Sequence, residues 1–153
     1  QPALINYFKM KILVLQGPNL NLIGVKSAQA GKSVTLDKIN TALRREVRNT
    51  EIELKIFQTH KIYMAVSFLQ RNRNTASGIL IAPMAWAKYE YSLLETLQLI
   101  RLPVVQVFVE GDFLFQATKE ESILAPVSTA SISRGDPIIA FTGGLKMLID
   151  YIS

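Results

Sequence analysis

KILVLQGPNLNLIG, Lys11 to Gly24, is the stretch whose reading decides the fold. Lys11 to Gln16 is a short apolar run rich in Ile, Leu and Val, too short for a helix of its own, and it reads as a buried strand. It runs directly into Gly17-Pro18-Asn19, three residue types that make turns. A strand ending in such a turn is where open α/β sheets place ligands, just beyond the carboxyl ends of the strands. Asn19 stands there with an amide that can both donate and accept. These residues mark a site without naming its ligand.

Outward from this stretch, Val25 to Val34 (VKSAQAGKSV) is small, polar and glycine-containing and reads as a loop, with Val25 to Ser33 expected to be mobile or differently folded. Thr35 is placed to cap a following helix, with Asp37 favourable in its first turn. Leu36, Ile39, Leu43 and Val47 share one face at helical spacing and read as core. Glu51 to Phe57 alternates charged and apolar residues, as an edge strand with one wet face does. Ile62 to Asn72 is helical in pattern, and Gly78 to Ala82 is a continuous buried strand. A helix is expected from about Lys88 to Ile100, a strand at 104–109, and a short helix over Phe113 to Glu121. Ala125 to Pro137 reads as loop, Ile138 to Phe141 as the final strand, and Leu145 to Ile152 as a closing helix. Strand and helix alternate throughout, which predicts one α/β domain with a parallel sheet covered by helices on both faces.

The 153 residues suit a single domain with a real core. There is no cysteine, hence no disulfide framework and no thiolate ligand or nucleophile, and one histidine alone makes no His-rich metal site. No apolar stretch is long enough to span a membrane, and the start lacks the features of a signal peptide, so the cytoplasm is the expected compartment. Residues 1–9 read as an N-terminal extension or an expression remnant, and 10–153 as the domain, with Met10 at the head of the first strand. The net charge of +5 favours anionic partners in a general way. Arg44, Arg45, Arg48, Arg71 and Arg73 form no single tract and are not interleaved with aromatics, so they do not point to nucleic acid.

QGPNLNLIG closely resembles the N-terminal motif of type II 3-dehydroquinate dehydratase, in which a strand ends in Asn-Gly-Pro-Asn-Leu-Asn. The likeness continues along the chain. VTLDKI at 34–39 is similar to the start of that family's first helix, and ELKIFQT at 53–59 to its second strand. GILIAP at 78–83 resembles the third strand, VVQVFV at 104–109 the fourth, and IIAFTGG at 138–144 the last strand and turn. The resemblance implies a flavodoxin-like, doubly wound, five-stranded parallel sheet of order 2-1-3-4-5. It also implies an oligomer, either a trimer or a dodecamer into which trimers gather, and no cofactor.

The family removes water from a cyclic 3-keto acid through an enolate. In it a loop tyrosine is the base, a nearby arginine favours the tyrosine's charged form, and the Asn of Gly-Pro-Asn orders a water at the enolate oxygen. A histidine after the fourth strand is the acid, and an Asn, a His, backbone amides and an Arg hold the substrate. On that pattern only Asn19 is unchanged. Lys26 replaces the activating arginine, Ala30 the tyrosine and Phe108 the acid. The Asn-Pro-Gly-Ala motif becomes Ala82-Pro83-Met84-Ala85, and the His that follows is Lys88. The substrate-binding amides fall at Val109 and Glu110, a further catalytic-site arginine at Phe115, and the substrate arginine at Lys119. Glu95 stands where the family has Asp.

Base, activator and acid are thus replaced together, and such sets fail cooperatively. The expectation is a homologue with dehydratase activity lost or strongly reduced, acting through assembly or by binding a partner protein or small anion. The alternative is a functioning 3-dehydroquinate dehydratase, or a related lyase, with a rearranged site. Asn19, His60, Lys88, Glu95, Val109, Glu110 and Lys119 are the candidate ligand contacts. His60, the lone histidine, follows a strand; Lys26, Lys61, Lys88 and Lys119 are candidates to gather at the same mouth. Gly143-Gly144 offers amides ahead of the last helix. With Phe108, Phe115, Trp86 and Met84 nearby, the pocket is expected to be narrow and apolar.

Overall fold

A computed structural model describes residues 9–111, 113 and 115–153; residues 1–8, most of the N-terminal extension, lie outside it. Strand β1 (Met10–Gln16) is central. Ile12, Leu13, Val14 and Leu15 are all fully buried, because the sheet is covered on both faces. Ile12 and Val14 pack with Ile39 and Leu43 of helix α2 (Leu36–Glu46) and with Phe141, Leu145 and Leu148 of helix α6 (Pro137–Ile152). Leu13 and Leu15 face the other way, onto Ala65, Phe68 and Leu69 of α3 (Ile62–Asn72) and Leu93 and Leu97 of α5 (Tyr91–Ile100). The period of two in the strand sorts its side chains into two cores.

The remaining strands are β2 (Ile52–Gln58), β3 (Gly78–Ala82), β4 (Val104–Val109) and β5 (Ala130–Arg134). All pairings are parallel and the order is 2-1-3-4-5, the flavodoxin-like arrangement. β2 is an edge strand in which exposed Glu53 and Lys55 alternate with half-buried Ile52, Leu54 and Ile56. The order reverses between β1 and β3, so a crevice forms at their carboxyl ends. There Gly17 N–H donates to Ala82 O at 2.9 Å, tying the two exits together. Thr35 caps α2 as expected, its side chain accepting from Lys38 N–H at 3.2 Å.

Four expectations fail. Val25 to Gln29 is not loop but part of helix α1 (Ile23–Gln29), which follows a 3-10 turn at Leu20–Leu22. The helix expected from Lys88 to Ile100 is two, α4 (Trp86–Tyr89) and α5, broken at Glu90. No helix forms among the described residues of Phe113 to Glu121. Thr118 and Glu121 make a reciprocal capping pair, but it closes only one turn. The fifth strand is Ala130–Arg134, inside the stretch read as loop, and Ile138 to Phe141 is the start of α6. Asp136 causes this: its carboxylate accepts from Ile138 N–H at 2.9 Å and Ile139 N–H at 3.3 Å, and Pro137 fits the first helical position. Gly143 and Gly144 therefore lie within α6. A Cβ on Gly144 would come within 2.9 Å of Val107, so the glycine lets the helix settle on the sheet.

Candidate functional site

A cleft of about 410 Å³ opens at the crevice between β1 and β3. Its residues come from four places. Pro18 and Asn19 leave β1, and Asn19 takes the left-handed conformation (φ 73°), which asparagine tolerates. Met84 and Ala85 leave β3. Met84 is also left-handed (φ 51°) and is 2% exposed, an uncommon state for a long side chain. Phe113, Phe115 and Gln116 come from the segment after β4. Helix α1 forms the fourth wall with Leu22 ahead of it and Val25, Lys26 and Gln29 along it. Their spacing of 22, 25, 26 and 29 is one helical face. That periodicity was available in the sequence, but the glycine and the small polar residues around it obscured it.

The wall is mostly apolar. Leu22, Val25 and Phe115 also reach into solvent, at 49%, 55% and 68% exposure. Lys26 is the one titratable side chain among the described lining residues. Asn19, Gln29 and Gln116 supply neutral amides. The Gln116 amide is already committed: it accepts from Val109 N–H at 3.2 Å and donates to Val109 O at 2.7 Å, copying a strand pairing. Glu110 N–H donates to Arg134 O at 2.9 Å. Both backbone amides to which the resemblance assigned substrate binding thus have partners within the chain.

Of the other residues singled out in the sequence, the structure brings only some to this cleft. Phe115 and Met84 line it. Phe108 does not: it is 1% exposed and packs against Ala87 and Ala117. It borders a neighbouring hollow, with Glu110, Lys119 and Arg134. Trp86 is buried among Leu93, Leu97 and the side chains of α3, away from the cleft wall. Ala30 ends α1 as an exposed cap. His60, Lys61, Lys88 and Glu95 are exposed and are absent from the cleft's lining, so the expected gathering of lysines reduces there to Lys26. Gln29 and Gln116 were missed; nothing in their local sequence distinguishes them from ordinary surface glutamines.

Among the described residues no group of three or more His, Cys, Asp or Glu is placed to hold a metal ion. No helix there is long and apolar enough to cross a membrane.

Residues 10–149 match the family profile Dehydroquinase class II. A 3-dehydroquinate dehydratase of Roseiflexus castenholzii is 33% identical over 124 residues, covering 81% of this chain and 79% of that protein. One of Trichodesmium erythraeum is 30% identical over 145 residues, covering 95% and 96%. The crystal structure of type II dehydroquinase from Butyrivibrio crossotus superimposes with a TM-score of 0.75, covering 94% of this chain and 97% of that one. Its identity is 22%, so this last likeness concerns the fold.

Proposed function

The chain belongs to the class II dehydroquinase family, and from that premise we propose that the cleft at the carboxyl ends of β1 and β3 is the family's ligand site, kept in place but stripped of its proton-transfer groups. On this reading 3-dehydroquinate dehydration is lost or strongly reduced. The chain then works by binding a small acid or a partner, or by assembling with copies of itself.

One observation carries the reading: the described lining residues include a single titratable side chain, Lys26. Removal of a proton beside a ketone and protonation of a departing hydroxyl need a base and an acid within hydrogen-bond reach of the substrate. Phenylalanine and alanine transfer no proton. Asn19 remains to polarise an oxygen, but such stabilisation without its cooperating partners retains only a small share of the full rate.

A second reading, a working 3-dehydroquinate dehydratase with a rearranged site, is favoured by a separate observation. Relatives at 30% and 33% identity carry that name, and one is matched over 95% of this chain. In that case Lys26, which lines the same cleft as Asn19, is the group to carry the proton.

The experiment is a spectrophotometric assay of enone formation from 3-dehydroquinate with the purified chain. Turnover within tenfold of the enzyme median of roughly 10 per second establishes the second reading and ends the first. Turnover at least a thousandfold below that median is the expected outcome.

A further inference from the structure

We infer that the ligand of this cleft is an apolar, planar monocarboxylic acid of the aromatic or arylacrylic kind, with its carboxylate at Lys26 and its ring against Leu22, Val25, Met84 and Phe115. The inference rests on the reading that this cleft is the ligand site, and it names the ligand class.

Three features of the wall lead to it. First, seven of the eleven described lining residues have apolar side chains, and Leu22, Val25 and Phe115 leave much of that surface in water. A flat hydrocarbon face covers such surface favourably, and Phe115 and the Met84 thioether both suit an aromatic partner. A ring carrying several hydroxyls is poorly served, because each buried hydroxyl needs a partner and only Asn19 and Gln29 are uncommitted amides there. Second, the cleft's described lining carries one cation and no carboxylate, so it selects for a single negative charge. Third, the backbone groups at the end of β4 are already occupied. Gln116 occupies both backbone groups of Val109, and Glu110 N–H is bonded to Arg134 O, so neither amide is left for a ligand. Among the described lining residues of the cleft the one cation is Lys26, so a carboxylate bound here sits on the α1 side. The cleft volume of about 410 Å³ lies in the lower part of the range for small-molecule sites and admits one ring with a short acid arm.

The test is calorimetric titration of the full chain with three probes. These are trans-cinnamate, its uncharged counterpart cinnamyl alcohol, and quinate, a monoanion bearing several hydroxyls. Cinnamate is expected to bind at least tenfold more tightly than quinate. Lys26→Met should weaken cinnamate about fivefold and leave cinnamyl alcohol within twofold. Phe115→Ala should weaken both. Lys26 and Phe115 are exposed, so both variants should fold; matched circular dichroism spectra verify it. Quinate binding as tightly as cinnamate, cinnamate unmoved by Lys26→Met, or no saturable binding of cinnamate at millimolar concentration each overturns the inference. Rapid turnover of 3-dehydroquinate sinks the proposed loss of activity instead, and the cinnamate-to-quinate ratio, then read as inhibition constants, still decides the ligand class.

Discussion

Gly17→Ala tests the geometry on which the cleft depends. An ideal Cβ at Gly17 lies 2.8 Å from Ala82 O, 2.8 Å from Pro83 O and 3.0 Å from Pro83 C. These are backbone atoms of the neighbouring strand's exit, so no side chain can swing aside. The glycine is also held in place: its N–H donates to Ala82 O at 2.9 Å, and its carbonyl accepts from Gln58 Nε2 at 3.2 Å. A methyl must push the ends of β1 and β3 apart by a few tenths of an ångström. Overpacking of this kind costs about 3 kcal/mol at the upper end of its usual range. Stretching the Gly17–Ala82 hydrogen bond forfeits about 0.5–1 kcal/mol, and the reduced freedom of the unfolded chain returns about 0.4–1 kcal/mol. The net is a loss of about 3 kcal/mol. In a chain of this size that lowers the thermal midpoint by about 6–12 °C. Urea denaturation followed by circular dichroism measures it, with Gly135→Ala as the control, since a Cβ there meets nothing within 4 Å. A Gly17→Ala variant as stable as the control, within about 0.5 kcal/mol, would refute the argument that close backbone approach sets the β1–β3 crevice.

Two further outcomes are expected. Gln116→Ala removes two hydrogen bonds to fully buried Val109, at roughly 1 kcal/mol each; it should destabilise the chain by about 2 kcal/mol and speed amide exchange at Val109, and unchanged exchange there rules out the closed β4 end. The Glu121 carboxyl is held below the ordinary glutamate range chiefly by the Thr118 backbone amide and then by the Thr118 side chain, with desolvation opposing and Lys88 the weakest contribution. A depressed folded value contributes stability above the unfolded value that disappears as pH falls through the folded one, so an NMR titration should place Glu121 below a glutamate in an unstructured peptide, and a midpoint at or above it contradicts the capping geometry.

The legible parts of the fold were those where local pattern and tertiary role coincide. β1, β3 and β4 are buried on both faces, so their apolar runs needed no interpretation, and α2 announces itself by Thr35 and by the 36, 39, 43, 47 stripe. The errors cluster where composition and geometry disagree. Ala130–Arg134 is an edge strand of small polar residues whose one buried side chain is Ile132; its pairing with β4 is long-range and left no local trace. Ile138 to Phe141 has strand-like composition, and only the Asp136-Pro137 cap decides for helix. For the site, position was readable and composition was not. Asn19 and the turn after β3 were placed from the strand ends, whereas α1 was hidden by its small polar residues, and the positions of Phe108 and Trp86 depended on which face of the sheet each side chain took.

Met84 bears on whether the cleft is a relic or a built site. It occupies the place where the resemblance has glycine, after Ala82-Pro83, and it still adopts the left-handed conformation that glycine serves without strain. For a long side chain that conformation costs of order 1–3 kcal/mol and persists only where the surroundings over-determine it. The determinant is visible. Gly17 is locked to Ala82 and packed against the Pro83 carbonyl, so the turn cannot relax to suit its residue. A site decaying without use has no reason to place a strained residue at such a turn, when glycine or asparagine meets the same geometry cheaply. The methionine side chain returns something for the strain: it is 2% exposed, packs into the core with β1, and lines the cleft together with Phe115 and residues of α1. On the proposed reading of the cleft, an apolar residue at this turn in place of glycine fits a change of ligand. Met84→Gly separates the two cases: it relieves backbone strain while removing the apolar floor, so it should weaken cinnamate binding severalfold even though the turn itself is left intact.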